Sequence, residues 1–237
     1  MRSMSDARSI IRKACSEGRT KLLEHEALDL LEAYGIPKPP HAFVNSAAEA
    51  VNAARRIGFP IALKVVSPDI LHKSDVGGVV LGLQSEDEVE QGFNELMNNV
   101  KAKAPYARVA GVLVQWMVPN GLETIIGATR DDMFGGVIAF GLGGVFTEVL
   151  RDVSLRVSPI GEDDARAMIR ETRASILLNG FRGMSKRDSE ALVAALVKFS
   201  LLIDENEEIM EADLNPVIAL EEGRGAYDAD ARFVLKC

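Results

Sequence analysis

The chain has little cysteine: two residues in 237, Cys15 and Cys237. Neither is accompanied by a base motif that would activate a thiol, so free, inert thiols in a reducing cytoplasm are expected. Long apolar runs are missing too. The first twenty residues, MRSMSDARSIIRKACSEGRT, contain no apolar core of a signal peptide. The longest apolar stretch, 135–146, is Gly-rich and far short of the roughly 20 residues that span a bilayer. Positive charge is in deficit, with 27 basic against 35 acidic residues and a net charge of -8. That balance argues against nucleic acid or an anionic membrane as a general partner, so any phosphate site must be cationic locally. The usual phosphate fingerprints are absent as well. Gly141, Gly143 and Gly144 are followed by Phe146 where the dinucleotide pattern requires a third glycine, and no Walker A sequence occurs. There is no repeat of 20–50 residues and no low-complexity tract. What remains is an ordinary soluble composition, 47% hydrophobic and 26% charged, in a length that suits two lobes of about 100 residues each.

The stretch that organises the chain is IALKVVSPDILHKSDVGGV, Ile61 to Val79. Ile61 to Val66 reads as a buried strand opened by Gly58-Phe59-Pro60 and closed by Ser67-Pro68. Alternation places Ile61, Leu63 and Val65 on one face and Ala62, Lys64 and Val66 on the other. A lysine inside such a strand asks for an anion; the alternative is an edge strand from which Lys64 snorkels to water. The loop that follows favours the anion. His72-Lys73 lies between two turn-forming stretches, and Gly77-Gly78 lets backbone come close to a ligand, as a phosphate-covering loop requires.

Around this stretch the pattern is α+β. Leu22 to Tyr34 has helical spacing stopped by Gly35 and Pro37, and His41 to Val44 reads as a strand. Ser46 with Glu49 and Ser85 with Glu88 are capping boxes opening two helices, and Val79 to Leu83 is the return strand. Residues 108–118 form an apolar strand broken by Pro119-Asn120-Gly121, which sets a lobe boundary. The expected division is an N-terminal extension 1–20, a first lobe 21–118 and a second lobe 119–237. In the second lobe, 122–129 and 136–140 read as a hairpin, and Val153 to Val157 as a further strand. Ser185 with Asp188 opens a long helix, and 209–213, 217–220 and 226–235 complete the sheet.

Asp213-Leu214-Asn215 is the second informative site. Residues two apart on a strand project from one face about 6.6 Å apart. An Asp carboxylate with an Asn oxygen suits Mg²⁺, which takes one or two carboxylates plus substrate phosphates. The competing reading is an Asx turn before Pro216. Arg151 and Arg156 flank Asp152, and Arg156 could clamp phosphate oxygens bidentately or pair with Asp152 or Glu148. His72 is set apart from His25 and His41 by its loop and by Lys73, because neutral imidazole is a competent nucleophile towards phosphorus.

Four motifs in order, LKVVSPDILHKSDVGGV, FGLGGVFTEVLRD, LRVSPI and EADLNPV, resemble the ATP-grasp β subunit of ADP-forming acetyl-CoA (acyl-CoA) synthetases, relatives of the succinyl-CoA synthetase β chain. The resemblance runs roughly from Leu22 to Leu235. It implies an ATP-grasp fold of two α+β lobes with Mg-ATP or Mg-ADP between them. It implies that Gln115, Trp116, Met117 and Val118 form the hinge receiving adenine, that Glu123 contacts the nucleotide, and that Lys64 and Lys73 meet its phosphates. On residues alone, Trp116 and Met117 serve equally well as core, and Glu123 as a solvated acid. Asp230 becomes the remaining metal ligand beside Asp213 and Asn215, with Asp228 competing. His72 becomes the relay that passes a phosphoryl group between a partner's phosphohistidine and ADP. The partner implied is an α subunit carrying the CoA site, in an α2β2 heterotetramer. Two rival expectations stand beside this one: an independent ATP-grasp ligase acting through an acyl phosphate, and a non-catalytic nucleotide-sensing module.

Overall fold

A computed structural model describes residues 4–70, 72–143 and 152–237. The chain divides into two compact units, one of residues Leu23–His25 and Pro39–Val118, the other of Met1–Leu22, Glu26–Lys38 and Pro119–Cys237. Residues before 39 thus group mainly with the C-terminal part, whereas the sequence reading put 1–20 apart as an extension and 21–38 in the first lobe.

The chain order begins with α1 (Met4–Ser16), α2 (Glu24–Ala33), β1 (His41–Val44), α3 (Ala47–Ile57), β2 (Ile61–Val66), β3 (Val79–Leu83), α4 (Glu86–Lys103) and β4 (Gly111–Trp116). In the unit that holds residues 39–118, the sheet runs β1-β4-β2-β3, with every neighbouring pair antiparallel. The expected alternation on β2 holds. Ile61, Leu63 and Val65 join Val112 and Val114 of β4 in a core closed by Ala50, Ala53 and Ala54 of α3 and Val89, Phe93 and Leu96 of α4. Both helices start where the sequence places them. Ser46 Oγ accepts from the Glu49 amide and Ser85 Oγ from the Glu88 amide, each at 3.2 Å. The two glutamates reach back one residue further than the standard box, to the amides of Asn45 and Gln84.

The other unit continues with β5 (Leu122–Asp131), β6 (Gly135–Leu142), β7 (Val153–Val157), α5 (Glu162–Glu171), α6 (Ala174–Leu178), α7 (Ser189–Glu205), β8 (Ile209–Ala219), β9 (Ala226–Asp228) and β10 (Ala231–Leu235). Its sheet has the order β10-β8-β5-β6-β7, with β9 paired to β8. One face is covered by α5 and α7, whose Met168, Leu196 and Phe199 are buried along with Ile126, Ile138 and Phe140 of the sheet.

Three local expectations are corrected. The cap of α7 is Asp188 itself, whose side chain accepts from the Ala191 amide at 3.0 Å, not Ser185. The stretches 209–213 and 217–220 are one strand, β8, which runs straight through Asn215-Pro216 because Asn215 and Ala229 donate their amides to the carbonyls of Asp230 and Pro216. The free thiols are a disulfide. Cys15 and Cys237 are bonded to each other across a separation of 222 residues, which spacing alone could not announce. Among the described residues no helix is long and apolar enough to cross a membrane.

Candidate functional site

In the first unit the site is built on β2 and the loop after it. Lys64 stands between Leu113 of β4 and Val79 of β3. It has the anion that the sequence demanded, but that anion is a carboxylate of this chain. Glu24, the first residue of α2, puts Oε1 2.7 Å from Lys64 Nζ and Oε2 2.6 Å from Lys73 Nζ. The Glu24 side chain is 4% exposed and the two lysine side chains 12% and 22%. Burial alone would push the Glu24 carboxyl up, but the two ammonium groups more than offset it and hold it below the usual carboxylate range. One carboxylate thus takes two ammonium groups, one at each oxygen.

The loop itself is fastened to β2. The Gly78 amide donates to the Lys73 carbonyl and the Val65 amide to the Gly78 carbonyl, each at 2.8 Å. Gly78 must be glycine, since a Cβ there would lie 2.5 Å from Val65 Cγ1 and 3.1 Å from the Lys73 carbonyl oxygen. Gly77 turns the chain at φ +66°, in the left-handed region that glycine enters without strain. His72 is exposed and immediately precedes this turn. The entrance to the loop is pinned by Arg108, which donates from its amide and guanidinium to the carboxylate of Asp69 and draws that carboxyl down to about 2.

Gln115 to Val118 close this unit. Gln115 is 2% exposed, the Trp116 amide donates to the Pro40 carbonyl and the Met117 amide to that of Pro60, both at 2.9 Å. His25, whose sequence context gave no role, stacks on Phe43 with ring centroids 4.2 Å apart.

In the second unit Glu211, Asp213 and Asn215 project from the face of β8 opposite Ala212 and Leu214, which are buried. Asp213 stands between Gly127 of β5, which offers no side chain, and Arg232 of β10. Burial pushes its carboxyl above the ordinary carboxylate range, while Arg232 and a hydrogen bond from Asn215 pull the other way without cancelling the effect. Asp230 accepts the Asn215 amide through its own carbonyl at 3.0 Å and is half-buried, whereas Asp228 pairs with Val217 and is 1% exposed. Glu123 is exposed on β5, and its carbonyl accepts the Gly143 amide at 3.0 Å. Arg156 on β7 pairs with Glu171 of α5 at 2.5 Å, a partner that the sequence reading missed in favour of Asp152 or Glu148. Asp152 instead accepts the Arg173 amide. Gly144, Phe146, Glu148 and Arg151 lie outside the described residues.

A partly desolvated carboxylate with an amide oxygen beside it is a donor set that Mg²⁺ fits, because a dication would offset the cost of burying Asp213. Among the described residues no three or more His, Cys, Asp or Glu gather round one point. Mg²⁺ ordinarily completes such a shell with water and substrate phosphate.

Residues 13–235 match the ATP-grasp domain family. The chain is 44% identical over 232 residues to the acetate–CoA ligase [ADP-forming] II subunit beta of Pyrococcus furiosus, covering 98% of each. It is 29% identical over 152 residues to the succinate–CoA ligase [ADP-forming] subunit beta of Natronomonas pharaonis. Against the acetate–CoA ligase [ADP-forming] I of Archaeoglobus fulgidus it is 45% identical over 222 residues, yet spans only 32% of that longer protein. Its fold superposes on a Ca. Korarchaeum cryptofilum acetyl-coenzyme A synthetase, solved with coenzyme A and Ca-AMPCP, with a TM-score of 0.93 at 50% identity, over 97% of this chain and 100% of that one. The chain belongs to the ATP-grasp family and, within it, to the β subunits of the ADP-forming acetate–CoA ligases.

Proposed function

We propose that the chain carries the nucleotide half of the reaction acyl-CoA + ADP + phosphate ⇌ carboxylic acid + ATP + CoA, and that His72 relays the phosphoryl group. The observation that carries this reading is the buried cluster Lys64–Glu24–Lys73 directly beside an exposed histidine. Two lysines held at the root of a glycine-bearing loop supply local positive charge in a chain whose net charge is -8.

In the transfer, a ring nitrogen of His72 attacks the phosphorus of a phosphohistidine on the partner. The bond from phosphorus to the partner's nitrogen breaks, and a terminal oxygen of ADP then displaces His72 to give ATP. Lys64 and Lys73 neutralise phosphate oxygens, and positioning with electrostatics supplies most of the rate. Asp213 and Asn215, with Asp230 as the third ligand, would hold Mg²⁺, which when bound neutralises nucleotide phosphate charge. Asp230 is favoured over Asp228 by its main-chain bond to Asn215 and by its lesser burial. Gln115 to Val118 would read the adenine. Since the amides of Trp116 and Met117 are engaged within their own unit, carbonyls or the Val118 amide would do the reading. Glu123 and Arg156 complete the nucleotide contacts, Arg156 by leaving Glu171 for phosphate.

The rest of the assembly belongs to the same proposal, and the relatives support an α partner. A Ca. Korarchaeum cryptofilum structure contains Mg-AMPPCP and a phosphohistidine segment pointing towards its nucleotide site. This chain would accordingly use ATP or ADP with Mg²⁺ and an α subunit that bears the phosphohistidine and CoA site, as α2β2. The location would be cytoplasmic. A disulfide is unusual in that compartment outside hyperthermophiles.

The test is phosphoryl exchange between ATP and the isolated α subunit, with acyl-CoA synthesis measured with and without that subunit. His72→Ala should bind nucleotide nearly as the wild type does and lose exchange, because a relay acts in transfer and not in ground-state binding. Full exchange in that variant would reduce His72 to a loop residue. Thioester formation by this chain alone would favour an independent ligase.

A further inference from the structure

We propose that Glu24 is a positioning residue for phosphoryl transfer: it holds Lys64 and Lys73 on one carboxylate and so fixes the loop that presents His72. The inference rests on the phosphoryl-transfer reading above and adds to it a residue that the motifs do not contain.

An acidic residue at the start of a helix is ordinarily exposed and interacts with the helix amides. Glu24 is 7% exposed, and residues Leu23–His25 group with the unit that holds β2 although the residues on either side do not. A buried carboxylate is costly unless paired, and an ion pair of this kind is seldom more stable than well-packed apolar residues of the same volume. Stability therefore does not explain why the position is acidic. Presentation of two lysines does: without a counter-charge between them, two ammonium groups this close and this shielded would repel each other.

The consequence passes along the chain to His72. Lys73 is fixed twice, by Glu24 at its ammonium and by the Gly78 amide at its carbonyl, and Gly78 is itself bonded to Val65 of β2. Lys73 is thus tied to the sheet, and His72 is the next residue. Releasing the ammonium would remove one of the ties that hold the 73–78 turn, leaving its main-chain bonds and the packing of Val76 on the core, and His72 would sample a wider volume. Placement of a nucleophile to within about an ångström is worth large factors in rate, so the loss falls on turnover more than on nucleotide affinity.

The test uses Glu24→Gln and Glu24→Asp in the complex with the α subunit for kinetics, and the same variants of the chain for amide hydrogen exchange. Glu24→Gln is expected to lower kcat for ATP–phosphohistidine exchange by tenfold or more, with a smaller change in the KM for nucleotide. Exchange at the Gly77 and Gly78 amides should quicken, with no change at Leu63 and Val114 in the sheet. Glu24→Asp, which keeps the charge, should recover part of both. Wild-type kcat in folded Glu24→Gln would overturn the proposal. So would a uniform loss of protection across the unit with activity falling only in proportion to the folded fraction. Should Glu24→Gln not fold, Glu24→Asp decides: a local quickening at Gly77 and Gly78 with reduced kcat supports the role, and wild-type values refute it. Failure of the phosphoryl-transfer reading would look different, since the wild-type complex itself would then show no exchange.

Discussion

The two units each set charged groups into a strand, and they settle the charge in opposite ways. On β2 the cation at position 64 is met inside the fold by Glu24, which is shared with Lys73. On β8 the carboxylate at position 213 is only partly offset by Arg232 and Asn215, and its proton affinity rises. The first arrangement pairs its cations within the chain before any ligand arrives. The second keeps an unmet demand for positive charge, which is what a site for a dication needs. A charge in a strand thus means different things according to whether the chain supplies its partner.

That contrast can be broken unit by unit. Reducing the Cys15–Cys237 bond, both of whose residues lie in the β8 unit, should cost about 2–5 kcal/mol of stability. Amide exchange should rise in α1 and β10 while β2 and β4 keep their protection; an unfolding midpoint indifferent to reductant would sink this expectation. Lys64→Met should cost about 1.5–3 kcal/mol in denaturant unfolding, less than a wholly orphaned buried charge, since Lys73 still faces Glu24. No loss at all would mean that the cluster adds nothing to the resting fold. Asp213→Asn should have the opposite sign and the smallest size. Because the folded carboxyl titrates above its unfolded value, ionising it costs native stability as pH rises through the carboxylate range. The variant should therefore be somewhat more stable than the wild type at pH 7 and no different below about pH 4, while requiring more Mg²⁺ to bind nucleotide. A loss of stability at neutral pH would show that Asp213 is held by partners better than its burial implies.

Much of this was legible in the sequence, for local reasons. The alternation around Lys64 and the serine caps at 46 and 85 depend on neighbours a few residues away, and the structure keeps them. What stayed hidden was long-range. Glu24 looks like any acid opening a helix, and nothing near it announces a lysine 40 positions on. Glu171 lies 15 residues past Arg156, and α5 brings it back to β7. Asp188 outcompetes Ser185 as a cap because its other carboxylate oxygen also takes the Gly225 amide at 2.8 Å, a contact that pattern reading could not supply. The run through Asn215-Pro216 looked like a break, and flanking amide bonds made it strand.

The bond between Cys15 and Cys237 makes a covalent ring of nearly the whole chain. A ring has no ends to separate. One proteolytic cut at any loop between those residues would open the ring without dividing the molecule, leaving a single species that is heavier by one water and migrates as one band. Only a thiol reductant added afterwards would release two fragments, so a nicked preparation could pass as intact whenever it is examined without one.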